Sequence, residues 1–214
     1  MVLKASPHKQ ERAVSTRRQL IAAARAIFVQ EGFASARIER IAAKAGKTRG
    51  AFYANFTDKE DVFFAIFEED MARDRETLNA ALSAASSQDE KIDTLARYLS
   101  ELLDDRPRFL LNLEFKMYVI RQPRKRKRLN QLYSEMCLRC SMEKINSLLP
   151  DLTDADMPKR RALTTEVGAA IDGIALNSMF NPGSISPERR IELLRIVARE
   201  ALRAAKSARR ESPE

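Results

Sequence analysis

Residues 38–56 constrain the fold of this chain more than any other segment, because they place two short helical patterns around one glycine. The first pattern is an apolar stripe at helical spacing, formed by Ile38, Ile41, Ala42 and Ala45. Gly46 follows at once, where a left-handed residue ends a helix at least cost. The segment therefore predicts a helix, a tight turn and a second helix.

The second helix has one aromatic face and one polar face. Thr48 can cap its first turn with the side-chain hydroxyl, and Phe52 and Phe56 put two rings on one face, four residues apart. The residues left to face outward are Lys47, Arg49, Gly50, Tyr53 and Asn55. A short helix that is anchored by aromatic rings and presents hydrogen-bond donors is suited to reading a DNA major groove.

The positive charge of the chain is concentrated near its start. Residues 1–60 contain 12 Lys and Arg against 5 Asp and Glu, whereas residues 61–214 contain 26 against 25. A basic lobe beside a balanced one favours a polyanionic partner for the lobe. The alternative is a solvated basic surface, which the coincidence with the two-helix unit makes less attractive.

Localisation signals are few. No apolar run approaches the roughly 20 residues that span a bilayer, and the first residues lack the apolar core of a signal peptide. Cys137 and Cys140 are the only cysteines, so a disulfide framework is not implied and a reducing cytoplasm fits. We therefore predict a cytoplasmic protein without a membrane contact.

The remaining helix-capping and helix-breaking residues predict an all-α protein of about nine helices. Capping boxes at Thr16–Gln19, Thr57–Glu60 and Ser87–Glu90 open three of them, and Thr153 or Asp154 and Ser186 open the last two. We expect a flexible arm over 1–14, a three-helix head over 15–62 with its two-helix motif at 37–56, a helical body over 63–206 and a disordered tail over 207–214. The segment Phe109–Ile120 is apolar almost all round, which predicts burial at the centre of the body.

The head resembles the TetR family of bacterial transcriptional regulators. The resemblance is carried by the spaced residues Gly32, Phe33, Ile38, Ile41, Ala42, Ala45, Gly46, Thr48, Gly50, Phe52, Tyr53, Phe56, Lys59 and Glu60. It covers about residues 16–63; beyond them it rests on helix number and length alone. Members are typically homodimers with a helix-turn-helix head and an effector-binding body. The resemblance therefore implies a ligand-responsive repressor that binds a palindromic operator in double-stranded DNA.

The resemblance also implies a set of DNA-facing residues, most of them in the second helix of the motif. The set is Arg37, Lys47, Thr48, Arg49, Gly50, Ala51, Tyr53, Ala54, Asn55 and Lys59. We expect Thr48, Tyr53, Asn55 and Lys59 to hold phosphates and Arg49 to read a guanine edge. The alternative is that Tyr53 packs inward and Arg49 is merely solvated. Ala36 and Arg37 replace two threonines that are common in the family, which removes a hydroxyl cap unless Ser35 supplies it.

The body carries weaker signals. A cavity for a small, largely apolar effector would be lined by Phe109, Leu113, Met117, Tyr118, Met136, Cys137 and Asn177, although such stripes are more often plain core. Small and apolar residues of the last two long helices predict the dimer interface, formed by Gly168, Ala169, Ile171, Gly173, Ile174, Ile191, Leu194 and Ala198.

Other functions find less support in the residues. The chain has no Gly-x-Ser-x-Gly nucleophile motif, no phosphate-binding loop and no acidic cluster with the spacing of metal ligands. Its one histidine, His8, lies in the predicted arm. We therefore predict neither an enzyme nor a bound metal or cofactor. Cys137 and Cys140 are interpreted as core thiols. The run Arg121–Arg128 is interpreted as a solvated loop, with a second DNA contact or an acidic partner as the alternative. A regulator without an effector, or a helical adaptor with a degenerate head, remains open.

Overall fold

A computed structural model of the chain describes residues 7–150 and 156–207. These residues form nine α-helices and contain no strand, as predicted. The helices are α1 (Pro7–Glu31), α2 (Ile38–Lys44), α3 (Arg49–Tyr53), α4 (Lys59–Ala84), α5 (Gln88–Leu102), α6 (Arg106–Ile120), α7 (Pro123–Leu148), α8 (Met157–Phe180) and α9 (Pro187–Ser207).

The chain divides into two compact units. The head unit comprises residues up to Asp70 together with Leu110–Gln122, and the body unit comprises Met71–Phe109 and the residues from Pro123 onward. Helices α4 and α6 each contribute residues to both units. The sequence predicted a head that ends near residue 62, so the part of α6 from Leu110 onward is an addition that local patterns did not indicate.

The head unit is built around aromatic rings. Phe33, in the loop between α1 and α2, is fully buried, and its ring lies 4.9 Å from Phe28, 5.2 Å from Phe115 and 4.9 Å from Tyr118. Phe63 stacks on Phe115 with 3.8 Å between ring centroids. Such pairs add about 0.5–1.5 kcal/mol each beyond the area they bury, so α6 is held to the head by directional contacts.

Helix α6 corrects one sequence prediction. We expected Phe109–Ile120 to be surrounded by the body, but Met117 and Ile120 are exposed and Phe115 belongs to the head core. The reason is that a helix which is apolar on all sides can pack one part of its length in each of two cores. Phe109, at its other end, packs in the body core.

The helix starts agree with the sequence in part. Ser87 and Glu90 form the predicted capping box, and the Ser186 hydroxyl accepts from Arg189 N at 3.2 Å. Helix α1 already begins at Pro7, so the predictions of an arm over 7–14 and of a helix start at Thr16 are wrong. At α4 the cap is Asp58, whose Oδ1 accepts from Asp61 N at 2.8 Å, in place of the predicted box at Thr57–Glu60. Residues 1–6, the Thr153 or Asp154 start and the tail over 208–214 lie outside the described residues.

The body unit encloses charges among apolar residues. Arg108 on α6 forms a two-pronged ion pair with Asp74 on α4, with Nη1 and Oδ1 2.9 Å apart, and both side chains are buried. Burial alone raises the pKa of Asp74, but the hydrogen bond and charge of Arg108, with a further bond to Tyr98, leave that pKa below its ordinary value. Burial and the bond to Asp74 raise the pKa of Tyr98.

Two further polar groups of the body unit lie in a desolvated environment on α7. Burial raises the pKa of Tyr133, and its contacts with Cys137 add to the rise. Burial lowers the pKa of Lys144, although the Asp74 carboxylate opposes that effect. The interior of the body is therefore less uniformly apolar than the sequence pattern predicted.

Candidate nucleic-acid interface

The geometry of α2, the turn and α3 follows directly from a few residues. Gly46 has φ +64°, the left-handed conformation that a glycine adopts without strain, and it follows the C-cap Ala45. The Thr48 Oγ1 accepts from Ala51 N at 3.1 Å and caps α3, as predicted. Arg37 is the N-cap of α2 and no side chain caps that helix, so Ser35 does not replace the missing hydroxyl.

Helix α3 has one face buried in the protein and the opposite face exposed. Phe52 and Phe56 are buried with their ring centroids 5.6 Å apart, whereas Thr48, Arg49, Gly50, Tyr53 and Ala54 are exposed. A Cβ added at Gly50 would meet only the Thr48 hydroxyl, at 3.7 Å. The outer face of α3 is therefore polar, and at Gly50 no side chain prevents its backbone from approaching another surface closely.

Arg49 and Tyr53 form one exposed cluster on α3 with Glu39 of α2. The Arg49 Nη1 lies 2.8 Å from Glu39 Oε1, and its Nη2 donates to the Tyr53 hydroxyl at 3.4 Å. The Arg49 guanidinium also lies 5.5 Å from the centre of the Tyr53 ring. Tyr53 is 46% exposed, so the alternative in which it packs inward is wrong. An exposed ion pair is weak, about 0–1 kcal/mol, and leaves Arg49 available for exchange to another acceptor.

Asn55 closes α3 against α1. Its Nδ2 donates to Ala51 O at 2.8 Å, and its own carbonyl accepts from Arg17 Nη1 at 2.9 Å. The Arg17 guanidinium lies 4.3 Å above the Phe56 ring. Arg17 thus fixes the end of α3 and adds a cation beside it, a role that no local sequence pattern indicated.

Lys59 differs from the sequence prediction. Its Nζ donates to Phe33 O at 2.9 Å and to Ala34 O at 2.7 Å, and it lies 5.0 Å from the Phe33 ring and 5.3 Å from the Tyr118 ring. The ammonium thus holds the loop between α1 and α2. Phosphate binding by Lys59 stays a prediction, and these two bonds give the side chain a structural role that the sequence did not suggest.

The same loop is held from α6. The Glu114 Oε2 accepts from Phe33 N at 2.6 Å, and the Tyr118 hydroxyl donates to Glu60 Oε1 at 2.6 Å. Gly32, at φ +81°, presents its backbone to Glu114, because a Cβ there would lie 3.0 Å from Oε2. The loop before α2 is therefore fixed from two sides, and sequence reasoning missed Glu114 because its partner is 81 residues away.

A comparison with known proteins supports this geometry. Residues 20–66, which include all of α2 and α3, match the family model described as bacterial regulatory proteins, tetR family. The HTH-type transcriptional repressor AcnR of Corynebacterium efficiens is 36% identical over 69 residues, which cover 32% of this chain and 37% of AcnR. The head of the chain, over residues 20–66, is that of a TetR-family protein. The aligned segments span about a third of the length of this relative and of its Corynebacterium glutamicum counterpart.

Similarity to known transcriptional regulators extends further along the chain. The HTH-type transcriptional repressor Rv1474c of Mycobacterium tuberculosis is 26% identical over 174 residues, covering 74% of this chain and 93% of that protein. A transcriptional regulator from Pseudomonas aeruginosa has a TM-score of 0.64 at 19% identity and covers 95% of this chain and 96% of its own. FadR of Bacillus subtilis, solved in complex with stearoyl-CoA, has a TM-score of 0.53 at 20% identity over 88% of this chain and 96% of FadR.

The residues predicted for an effector cavity are divided between the head unit and the body unit. Met117 is 47% exposed, and Asn177 is exposed with its Nδ2 bonded to Gly173 O, so neither is enclosed in a core and their place in a cavity stays a prediction. Tyr118 packs in the head core and Leu113 also belongs to the head unit. The remaining three, Phe109, Met136 and Cys137, lie in the body unit. The charged and phenolic groups near Asp74 were missed, because charges are ordinarily placed on the surface.

Five of the residues predicted for the dimer interface pack within the core of a single chain. Ile174, Leu194 and Ala198 are buried in the body core of a single chain, where α8 packs on α9. Ile171 and Ile191 pack against the same core. Gly168, Ala169 and Gly173 are not buried, and a Cβ at either glycine would meet nothing within 4 Å. The prediction did not include the large exposed apolar residues of α8 and α9, which are Leu176, Phe180 and Ile196.

Other site classes have little support. Among the described residues, no helix is long and apolar enough to cross a membrane, and no group of three or more His, Cys, Asp or Glu side chains is arranged for a metal ion. Cys137 and Cys140 are half-buried thiols on α7 that do not form a disulfide.

Proposed function

We propose that the chain is a DNA-binding transcriptional regulator of the bacterial cytoplasm, which represses as a homodimer on a palindromic operator and is released by a small, largely apolar effector. The α2–turn–α3 unit is the observation that carries the proposal. It presents Arg37, Arg49 and Tyr53 outward, on a helix pair that Phe52 and Phe56 fix from the other side. Donors held on a rigid short helix suit base reading, and backbone phosphates set the register.

Arg49 is the candidate for base reading. Its side chain projects from the first turn of α3, and its contacts among the described residues are exposed ones with Glu39 and Tyr53. A guanidinium that pairs with guanine through two bonds contributes about 1–3 kcal/mol of discrimination. Exchange from Glu39 to a guanine edge costs little, because both ion-pair partners are exposed.

The test begins with selection of an operator from random duplexes. Arg49→Ala should weaken operator binding by about 1–3 kcal/mol and relax preference at one base pair. Glu39→Gln is the matched control: it releases Arg49 and removes a negative charge, so binding to every duplex should strengthen. Equal losses on matched and mismatched duplexes for Arg49→Ala would contradict base reading. Absence of any salt-dependent DNA binding would favour the helical adaptor instead.

The homodimer is proposed from the open face of α8. Ala169, Gly173, Leu176 and Phe180 follow one another at intervals of four, three and four residues, so they share one face. Leu176 is 54% and Phe180 86% exposed, whereas the glycine allows a second helix to approach closely. Exposed apolar residues on one helix face are characteristic of an interface.

The dimer test uses two exposed leucines as a matched pair. Leu176→Glu should convert the protein to a monomer in light scattering at micromolar concentration and abolish binding to a palindrome. Leu132→Glu changes an exposed leucine on α7, outside the α8 face, and should leave the mass and the binding unchanged. A wild-type monomer at this concentration would overturn the proposal.

The effector proposal has two supports. Met136 and Cys137, which give adaptable packing, lie in the same unit as the polar groups Tyr98 and Tyr133. FadR, which shares the fold at low identity, was solved with stearoyl-CoA, a ligand with a long apolar chain. Thermal shift with stearoyl-CoA, stearate and uncharged apolar compounds, followed by operator release, tests it. A regulator without an effector is the alternative if no compound both shifts the protein and releases DNA.

A further inference from the structure

The start of α7 is a cationic helix end. Between Arg121 and Arg128 the chain has six Lys and Arg and no acidic residue. All residues from Pro123 to Arg128 are exposed, although consecutive positions on a helix point in every direction, and the first buried residue is Leu129. The first turn and a half of α7 therefore lies uncovered on all sides. The sequence interpretation of a loop is wrong here, since Pro123 already begins the helix.

This charge arrangement opposes helix stability. Cations near a helix N-terminus face the positive end of the macrodipole, which disfavours them. Helices α2, α4, α5 and α9 have an acidic residue in their first turn, as the dipole favours, whereas α7, like α1, α3, α6 and α8, has none. Nor do ion pairs neutralise Arg124, Lys127 or Arg128 within the part of the chain that the structure describes. These three charges therefore have no anionic partner among the described residues, which points to an external anion.

The chain places the beginning of this segment at the head. Arg121 belongs to the head unit and follows Tyr118 by three residues. The Tyr118 ring lies 4.9 Å from Phe33, just before α2, and its hydroxyl bonds Glu60 in the first turn of α4. Arg124 follows Arg121 by three residues, a span of about 11 Å at most. Arg121, the first residue of the basic segment, therefore lies three residues after a side chain that packs on the loop before α2.

We propose that the first turns of α7 form a second, sequence-independent DNA contact, in which Arg124, Lys127 and Arg128 bind backbone phosphates that flank the operator. These three residues share one helix face, at spacings i, i+3 and i+4, and that face points away from Leu129. Arginine and lysine are the residues that neutralise phosphates. The inference rests on the proposed DNA-binding function and adds a contact outside the helix-turn-helix.

The test measures affinity against salt concentration. Each phosphate neutralised contributes about 0.9 to the slope of log K against log salt. Arg124→Gln, Lys127→Gln and Arg128→Gln together should lower that slope by about one to three units per protomer on a fixed 40-base-pair duplex. The loss should shrink on a duplex trimmed to the selected operator. The melting temperature should stay the same or rise, because cations leave the start of α7.

A charge-matched control separates position from net charge. Arg161→Gln, Arg199→Gln and Lys206→Gln together remove the same charge from exposed positions on α8 and α9, and the slope should be unchanged. If the α7 variant keeps the wild-type slope while the wild type binds DNA, this inference fails and the proposed function stands. An equal fall in both variants also overturns it. If the wild type binds no DNA, the proposed function itself fails.

Discussion

The head and body units differ in how far they bury their ion pairs. In the head, the buried Asp70 carboxylate pairs with Arg25, whose side chain keeps 29% of its surface exposed, and aromatic rings form part of the core. In the body, the ion pair of Asp74 and Arg108 is itself buried. The head therefore leaves the cation of its buried pair partly in solvent, whereas the body buries both members of the pair.

The difference shows what each interior can do. A core of stacked rings has one well-packed arrangement, which suits a unit that must present α3 rigidly. A buried ion pair adds little net stability compared with apolar residues of similar size, so its presence suggests another role. In the body that role is compatible with recognising a polar group on an effector.

The largest expected effect tests the buried pair. Asp74→Ala leaves the Arg108 guanidinium buried without its carboxylate, and should lower the free energy of unfolding by about 3–5 kcal/mol. Replacing both residues together, Asp74→Leu with Arg108→Met, should recover most of that loss, because the uncompensated charge is gone. Urea unfolding of the wild type, of Asp74→Ala and of the double variant measures these free energies. A double variant as unstable as Asp74→Ala would show that the pair itself stabilises the body.

The pH dependence gives a second measurement on the same pair. The pKa of Asp74 is lower in the folded protein than its ordinary value, so its contribution to stability is full above that ordinary value. The contribution is lost as the pH falls below about 3.9 toward the folded pKa. The stability difference between wild type and Asp74→Ala should therefore narrow in acid. A constant difference down to pH 2 would contradict this linkage.

The second prediction concerns the head. Glu114→Ala removes the acceptor for Phe33 N and should lower the free energy of unfolding by about 1.5–3 kcal/mol, as for a hydrogen bond to a charged group. Glu114→Gln keeps an acceptor and should lose less. Because the bond fixes the loop before α2, DNA binding should weaken in the same order. Loss of stability with unchanged DNA affinity would show that the loop is held without Glu114.

These contacts mark the limit of prediction from sequence. The α2–turn–α3 unit was predictable because Gly46, Thr48 and Phe52 act on neighbours within a few residues. The attachment of α6 to the head was not, since Glu114 and Phe33 are 81 residues apart. The inward direction of Leu194 and the outward direction of Phe180 depend on how α8 meets α9. A stripe of apolar residues predicts a buried face without saying what covers it.

The third prediction is a gain in the free energy of unfolding, in contrast to the losses expected above. Burial lowers the pKa of Lys144, so its charged form is penalised in the folded body. Lys144→Met should raise the free energy of unfolding at pH 7, by less than the loss expected for Asp74→Ala. The gain should shrink as the pH rises toward 10.4, where the unfolded lysine also loses its proton. A destabilised Lys144→Met protein would instead mean that the ammonium stabilises the body through Asp74.

The smallest expected effects come from two matched helix caps. Thr48 caps α3 in the head and Ser87 caps α5 in the body, each by accepting from a backbone N–H. Thr48→Ala and Ser87→Ala should each lower the free energy of unfolding by about 0.5–2 kcal/mol, because each leaves one N–H without its acceptor. Only Thr48→Ala should also weaken operator binding, since α3 carries Arg49 and Tyr53. Thr48→Ser keeps the hydroxyl and should restore both properties. If Ser87→Ala weakened DNA binding as much as Thr48→Ala at equal stability, the assignment of DNA reading to α3 alone would have to be abandoned.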